Sequence, residues 1–90
     1  MNYEDFINKS QNLYKKIFNE SIENSLEYIT FVQGNFNPLR LKIELELENI
    51  NTKLTECNYS KERKLLRIKR DDLKELDAIL MEYIENTIEQ

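Results

Sequence analysis

The chain has 90 residues, of which 13 are basic, 17 acidic and 40% hydrophobic, with one Gly, one Pro, one Cys and no His. One domain, residues 1–90, is what this length accommodates. The composition is too apolar for a disordered chain and too poor in turn residues for an all-β sandwich, and the missing histidine excludes Cys–His nucleophiles and the commonest zinc sites within one chain.

The first predicted helix covers residues 3 to about 32. Apolar side chains recur there at spacings of three and four, which is the pattern of an amphipathic helix packed on a core. The β-branched and aromatic residues at its end weaken the helical signal there. The apolar residues of this stripe are Tyr3, Phe6, Ile7, Leu13, Tyr14, Ile17, Phe18, Ile22, Leu26 and Ile29.

A turn follows at residues 34–38, the one strongly marked break in the chain. Gly34 suits the left-handed conformation that ends a helix. Asn37 suits the N-cap position, and Pro38 suits the first position of the helix after it. We therefore expect one helix to end and another to begin here.

The second predicted element, residues 38 to about 57, has two interpretations. Residues 39–48 alternate apolar and charged side chains, which taken alone predicts a half-buried strand. A spacing of four and three runs past that segment and predicts a helix, and Leu, Glu, Lys and Arg are helix formers. We favour the helix, since a lone hairpin is poorly stable, and keep an α-β-β-α fold as the alternative. The residues with the helical spacing are Ile43, Leu47, Ile50, Leu54 and Cys57.

The third predicted helix runs from about residue 60, where Ser60 suits an N-cap, to about residue 88. Residues 58–60 interrupt the preceding apolar spacing, which resumes out of step at Leu66 and Leu73. The predicted fold class is thus all-α, a small three-helix bundle with helices at about 3–32, 38–57 and 60–88. If the interruption is only a stutter within one helix, the fold is a long helical hairpin.

Leu41 and Leu45 are the first candidate partner-binding residues. If their segment is helical, they lie away from the stripe that contains Ile43 and Leu47. A bundle helix buries one apolar stripe, so a second stripe predicts a partner. If the segment is a strand, the leucines join the buried face, but unpaired hairpin edges favour dimerisation. Both interpretations predict a homo-oligomer, most simply a dimer.

A basic run between residues 61 and 70 supplies the other candidates. It holds six basic side chains and one acidic one in an otherwise acidic chain. One hypothesis is contact with phosphates or an acidic partner; the other is internal pairing, with Glu48 opposite Lys69 and Glu46 near Arg67 or Arg70. The run lacks the aromatics of single-strand binders and helix-turn-helix spacing, so nucleic acid has no support beyond charge. The six candidates are Lys61, Arg63, Lys64, Arg67, Lys69 and Arg70.

Two other patterns are interpreted as structural. In a helix, Glu44, Glu46 and Glu48 splay over different faces at about 100° per residue and do not converge on one ion. Cys57 continues an apolar stripe without a base nearby in sequence, which indicates a buried thiol. We therefore predict no catalytic residue, no metal and no cofactor.

The predicted location is cytoplasmic. A single cysteine forms no internal disulfide and favours a reducing compartment. Residues 1–10 contain no apolar run that resembles a signal peptide, and no stretch approaches the ~18 apolar residues of a membrane span. We expect no membrane partner.

The leading functional hypothesis is a small interaction module, a homodimeric regulator, adaptor or inhibitor of a larger protein. No motif identifies a family, and small acidic chains of this kind include regulators encoded by phages and mobile elements. The expected surface combines Leu41 and Leu45 with the basic run. One alternative is a secreted, assembly-forming hairpin with a continuous helix from about residue 38 to 88. Another is nucleic-acid binding through the basic face of the third helix.

Overall fold

Four α-helices account for most of residues 2–88, the part of the chain that the computed structural model describes, with side chains described for residues 2–86. They are α1 (Tyr3–Phe18), α2 (Tyr28–Val32), α3 (Asn37–Glu56) and α4 (Ser60–Ile88), with a 3₁₀ turn (Ile22–Asn24) between α1 and α2. These residues contain no strand, which confirms the all-α prediction.

The segment with two interpretations, residues 39–48, lies within the 20-residue helix α3. Its buried side chains, Leu39, Ile43, Ile50 and Leu54, follow the helical spacing, whereas the alternating pattern has no counterpart in the structure. Helix propensity and a continuous buried stripe therefore decide the conformation, and the α-β-β-α alternative is wrong.

The predicted helix over residues 3–32 is interrupted. Helix α1 ends at Phe18 because Asn19 adopts the left-handed conformation (φ 56°), and its N–H donates to the Lys15 carbonyl at 2.8 Å. Asparagine tolerates this conformation better than most residues. The chain then forms the 3₁₀ turn and the five-residue helix α2. Leu26 and Ile29, which the stripe placed in the core, are 96% and 66% exposed.

The turn before α3 has the predicted left-handed Gly34, but α3 begins one residue earlier than predicted. Gly34 has φ 83°. The Gly34 N–H donates to the Phe31 carbonyl, and the Asn35 N–H donates to the Thr30 carbonyl. These are the two hydrogen bonds of a Schellman motif. The Asn35 side chain then accepts from the Asn37 N–H at 3.2 Å. Asn37 is thus the first residue of α3 and not its cap, which is Phe36.

Residues 57–59 separate α3 from α4, so the continuous helix required by the hairpin alternative is absent. The Arg63 guanidinium donates to the carbonyls of Leu54 and Cys57 at the end of α3. These carbonyls are among those that a helix terminus leaves without partners. Ser60, the predicted cap, is the first residue of α4, and Tyr59 accepts from the Arg63 N–H at 2.9 Å.

Helix α4 is the centre of the bundle, and α1 and α3 both pack antiparallel to it. On the α1 side, Lys16 forms an ion pair with Asp72 at 3.1 Å while the rings of Tyr3 and Tyr83 lie 6.2 Å apart. On the α3 side, the ion pairs are Arg40–Asp77 and Glu46–Lys69, each at 3.1 Å. The core between the helices contains Phe6, Tyr14, Ile17, Ile22, Phe31, Phe36, Leu39, Ile43, Ile50, Leu54, Leu73, Leu76, Ile79 and Leu80.

Ser10 of α1 gives a first prediction. It is fully buried, and its hydroxyl has no hydrogen-bond partner among the described residues. Replacing Ser10 with Ala removes this unpaired group and improves helix propensity, so we expect the free energy of unfolding to rise by about 1 kcal/mol. Urea unfolding followed by circular dichroism measures it. Ser10→Val should instead lose stability through crowding; a destabilised Ser10→Ala variant would show that the hydroxyl is paired.

Candidate functional site

Leu41 and Leu45 lie on the outward side of α3 and are here called the α3 outer face. They are 56% and 53% exposed although both are large and apolar. Each lies two residues from the buried Ile43, and at 100° per residue this places it about 160° around the helix axis from that core position. They point away from α4, on two consecutive turns.

Two further exposed apolar residues, Leu26 and Ile29, belong to a segment that is tied to the same turn of α3. Glu27 lies beside Leu26 in the chain, and its carboxylate pairs with the Lys42 ammonium at 3.4 Å. The interpretation as one continuous helix assigned these residues to the core, so sequence reasoning missed them. In the sequence, the residue that could have indicated this break is Asn19, because asparagine adopts the left-handed conformation more readily than most residues.

Lys42 connects three elements beneath the α3 outer face. Its ammonium donates to the Tyr14 hydroxyl at 2.5 Å and lies 4.8 Å from the centre of the Phe18 ring, a cation–π contact. Burial lowers the pKa of Lys42, but Tyr14 and the Glu27 carboxylate favour the protonated form more strongly, so this pKa is raised above its ordinary value. The cation therefore holds α1 and the Glu27 segment against α3.

An open groove of about 420 Å³ lies between α3 and α4, and Leu41 forms part of its rim. Leu47 and Ile43 supply apolar lining, and the Arg40–Asp77 ion pair and Glu44 supply charge.

The six basic residues between positions 61 and 70 form two groups in the structure. The first group, whose side chains lie within 4 Å of other polar groups of the chain, contains Arg63, Lys69 and Arg70. Arg63 closes the α3–α4 turn, and Lys69 pairs with Glu46 and not with the predicted Glu48. The predicted contact of Glu46 with Arg67 or Arg70 is not among the ion pairs of the described residues. Arg70 Nε lies 3.8 Å from an Asp71 carboxylate oxygen, too far for a hydrogen bond. Arg63 and Lys69 thus join α3 to α4, whereas Arg70 makes no such contact among the described residues.

The second group, Lys61, Lys64 and Arg67, is exposed and forms no ion pair with the described residues. The Glu46–Lys69 pair and the Arg63–Cys57 bond place this group level with about residues 48–56 of α3. Leu41 and Leu45 lie further along the bundle and face away from α4. The structure therefore does not bring the candidate leucines and the free cations into one continuous surface.

Cys57 and the three glutamates of α3, the residues considered for catalysis or metal binding, do not form a common site in the structure. Cys57 is partly exposed in the α3–α4 turn, not buried as predicted, and its Sγ lies 3.4 Å from a Glu62 oxygen. Glu44 and Glu48 are exposed, whereas Glu46 is engaged with Lys69. Among the described residues, no group of three or more Cys, Asp or Glu side chains is arranged to hold a metal ion.

No helix within residues 2–88 is long and apolar enough to cross a membrane. Comparison of the chain with known protein families, with curated proteins and with solved structures gives no match.

Proposed function

We propose that this chain is a small, non-enzymatic protein–protein interaction module that forms a homodimer and acts as a regulator, adaptor or inhibitor of a larger protein. The observation that carries the proposal is the α3 outer face. Leu41 and Leu45 are more than half exposed on consecutive turns of a helix that already buries an opposite stripe. Clustered apolar exposure of this kind is typical of an interaction surface.

A two-fold symmetric contact between α3 helices fits this face. In an antiparallel pair, Leu41 of one copy lies against Leu45 of the other, and the reverse contact follows from the symmetry. A helix of 20 residues is about 30 Å long. Stable interfaces bury roughly 800 Å² per partner. Two leucines do not reach that area, so Leu26 and Ile29, whose segment is joined to α3 by the Glu27–Lys42 pair, are expected to contribute.

The proposal predicts that the double change Leu41→Glu, Leu45→Glu abolishes self-association. Charged side chains would have to be desolvated at the dimer contact, whereas in the monomer they are exposed and leave the helical content unchanged. Light scattering over a concentration range of about 1–500 μM should give the 10.9 kDa monomer mass for the variant and a mass approaching twice that for the native chain.

The matched control is Leu65→Glu, Ile68→Glu, which places the same two charges on exposed positions of α4. These residues lie on a different surface, so this control is expected to remain dimeric. A dimer that survives Leu41→Glu, Leu45→Glu would place the interface elsewhere. A native chain that stays monomeric at all concentrations would contradict the homodimer.

A further inference from the structure

The side of α4 that carries α1 continues beyond the end of α1. Asp72 and Tyr83 make contacts with α1 through Lys16 and Phe6. Leu65 precedes Asp72 by seven residues and Tyr83 by eighteen, and both intervals are close to whole numbers of turns at about 3.6 residues per turn. Leu65 therefore lies in line with the residues of α4 that α1 covers.

Ile68 lies on the next turn, about 60° around the helix axis from Leu65. Leu65 and Ile68 precede the buried Leu76 and Ile79 by eleven residues each, about three turns. The deeper pair is covered by the bundle, whereas Leu65 and Ile68 are 59% and 44% exposed. Because α1 ends at Phe18, close to the level of Asp72, nothing among the described residues continues it over these two side chains.

Lysines lie on the turn side of this uncovered stretch, and Asp71 and Asp72 lie one turn beyond its other end. The stretch is here called the α4 tip face and is defined by Lys61, Lys64, Leu65 and Ile68. Lys61 and Lys64 each lie four residues, about one turn, before one of the apolar pair. On α3, Lys53 follows Lys42 by eleven residues and so lies on the same side as the Lys42 ammonium that contacts α1. Lys53, Lys61 and Lys64 are exposed.

The charge of this end of the molecule is opposite to that of the rest. Residues 49–68 carry five basic and two acidic side chains, while the remaining residues carry eight basic and fifteen acidic ones. The two acidic groups, Glu56 and Glu62, are exposed and do not pair with Lys61 or Lys64. The exposed aromatic Tyr59 lies at the same end, in the turn.

We propose that the α4 tip face binds an acidic amphipathic helix of a partner protein, which lies in line with α1 and extends the bundle by about two to three turns. Its apolar residues contact Leu65 and Ile68, and its carboxylates face Lys53, Lys61 and Lys64. This deepens the proposed function by naming a partner class, and it rests on that function only in that the chain binds proteins. A second copy is disfavoured at this face because like cations would oppose each other.

A peptide probe tests this proposal by fluorescence anisotropy. The probe is a labelled amphipathic helix of about 14 residues with Leu at every third or fourth position and Glu beside them; its control has Lys in place of every Glu. We expect the acidic peptide to bind the native chain with a micromolar Kd and the basic peptide at least about tenfold more weakly. Raising the salt concentration should weaken binding of the acidic peptide.

Variants locate the binding on the molecule. Leu65→Glu, Ile68→Glu should weaken binding of the acidic peptide at least about tenfold. Lys61→Glu, Lys64→Glu changes only exposed lysines, leaves the apolar contact intact, and should weaken it to a similar degree. Leu41→Glu, Leu45→Glu should leave the Kd unchanged, so failure of the homodimer does not affect this test.

Three results would overturn the proposal. The first is equal binding of the acidic and basic peptides, or no binding of either. The second is binding of the acidic peptide that neither tip variant weakens. The third is salt-dependent binding of a short DNA duplex that requires Lys61 and Lys64 and excludes the peptide, which would assign the face to phosphates.

Discussion

Replacing Phe6 with alanine is expected to lower the free energy of unfolding by about 3–5 kcal/mol, the largest effect anticipated for a single substitution in this chain. Phe6 is fully buried and its ring stacks on Tyr83 of α4 with the centroids 4.2 Å apart. It also meets Phe36, just before α3, at 5.4 Å and Phe31 of α2 at 6.0 Å. One ring therefore joins α1, α2, α4 and the residue that precedes α3. Urea unfolding monitored by circular dichroism measures the change.

Tyr3→Ala is the matched control for Phe6→Ala. Tyr3 also approaches Tyr83, at 6.2 Å between centroids, but more than half of Tyr3 is exposed. Its removal should change the free energy of unfolding by less than about 1 kcal/mol. A comparable loss in both variants, or a loss below about 1 kcal/mol for Phe6→Ala, would show that the aromatic cluster does not hold the bundle together.

Replacing Lys42 with methionine is expected to lower the free energy of unfolding by about 1–3 kcal/mol, the second largest effect. Methionine retains much of the apolar stem but leaves the buried Tyr14 hydroxyl and the Glu27 carboxylate without their cation. The cation–π contact with the Phe18 ring is lost as well. Thermal unfolding of the two proteins at pH 7 provides the comparison.

The stability conferred by Lys42 has a predicted pH dependence. Because its pKa is higher in the folded protein than in the unfolded chain, the stabilisation is fully present below about 10.4, the unfolded value, and is lost as pH rises through the folded pKa. The difference between the native chain and Lys42→Met should therefore be constant from neutral pH to about pH 10 and shrink above it. Lys64→Met, which removes an exposed and unpaired cation, should change stability by less than about 0.5 kcal/mol throughout. A Lys42 difference that does not shrink as the pH rises past about 10.4 would contradict the cation's role.

The two later helices could be predicted from the sequence because their signals are local. The spacing of Ile43, Ile50 and Leu54 and the Gly34 break place α3 within a residue or two of its observed bounds. The first helix could not be bounded in the same way. Its apolar spacing continues across Asn19, so the left-handed conformation that ends α1 at this one residue leaves no mark in the pattern of apolar side chains.

Of the two candidate surfaces, one could be predicted from local sequence and the other could not. The outward position of Leu41 and Leu45 follows from helical spacing alone, once the segment is a helix. The exposure of Leu65 and Ile68 depends on where α1 ends, a feature of another part of the chain. The hydrogen bond from Arg63 to the end of α3 likewise could not be predicted, because it depends on the conformation of the α3–α4 turn. In the sequence, Arg63 is one of six similar basic residues.

Sedimentation equilibrium of the native chain beside Leu41→Glu, Leu45→Glu tests the central claim, that the α3 outer face joins two copies, most directly. We predict that the native mass rises from 10.9 kDa toward twice that value with concentration, while the variant remains at 10.9 kDa with unchanged helical content. Equal masses for the two proteins at every concentration, whether both monomeric or both dimeric, would contradict the claim.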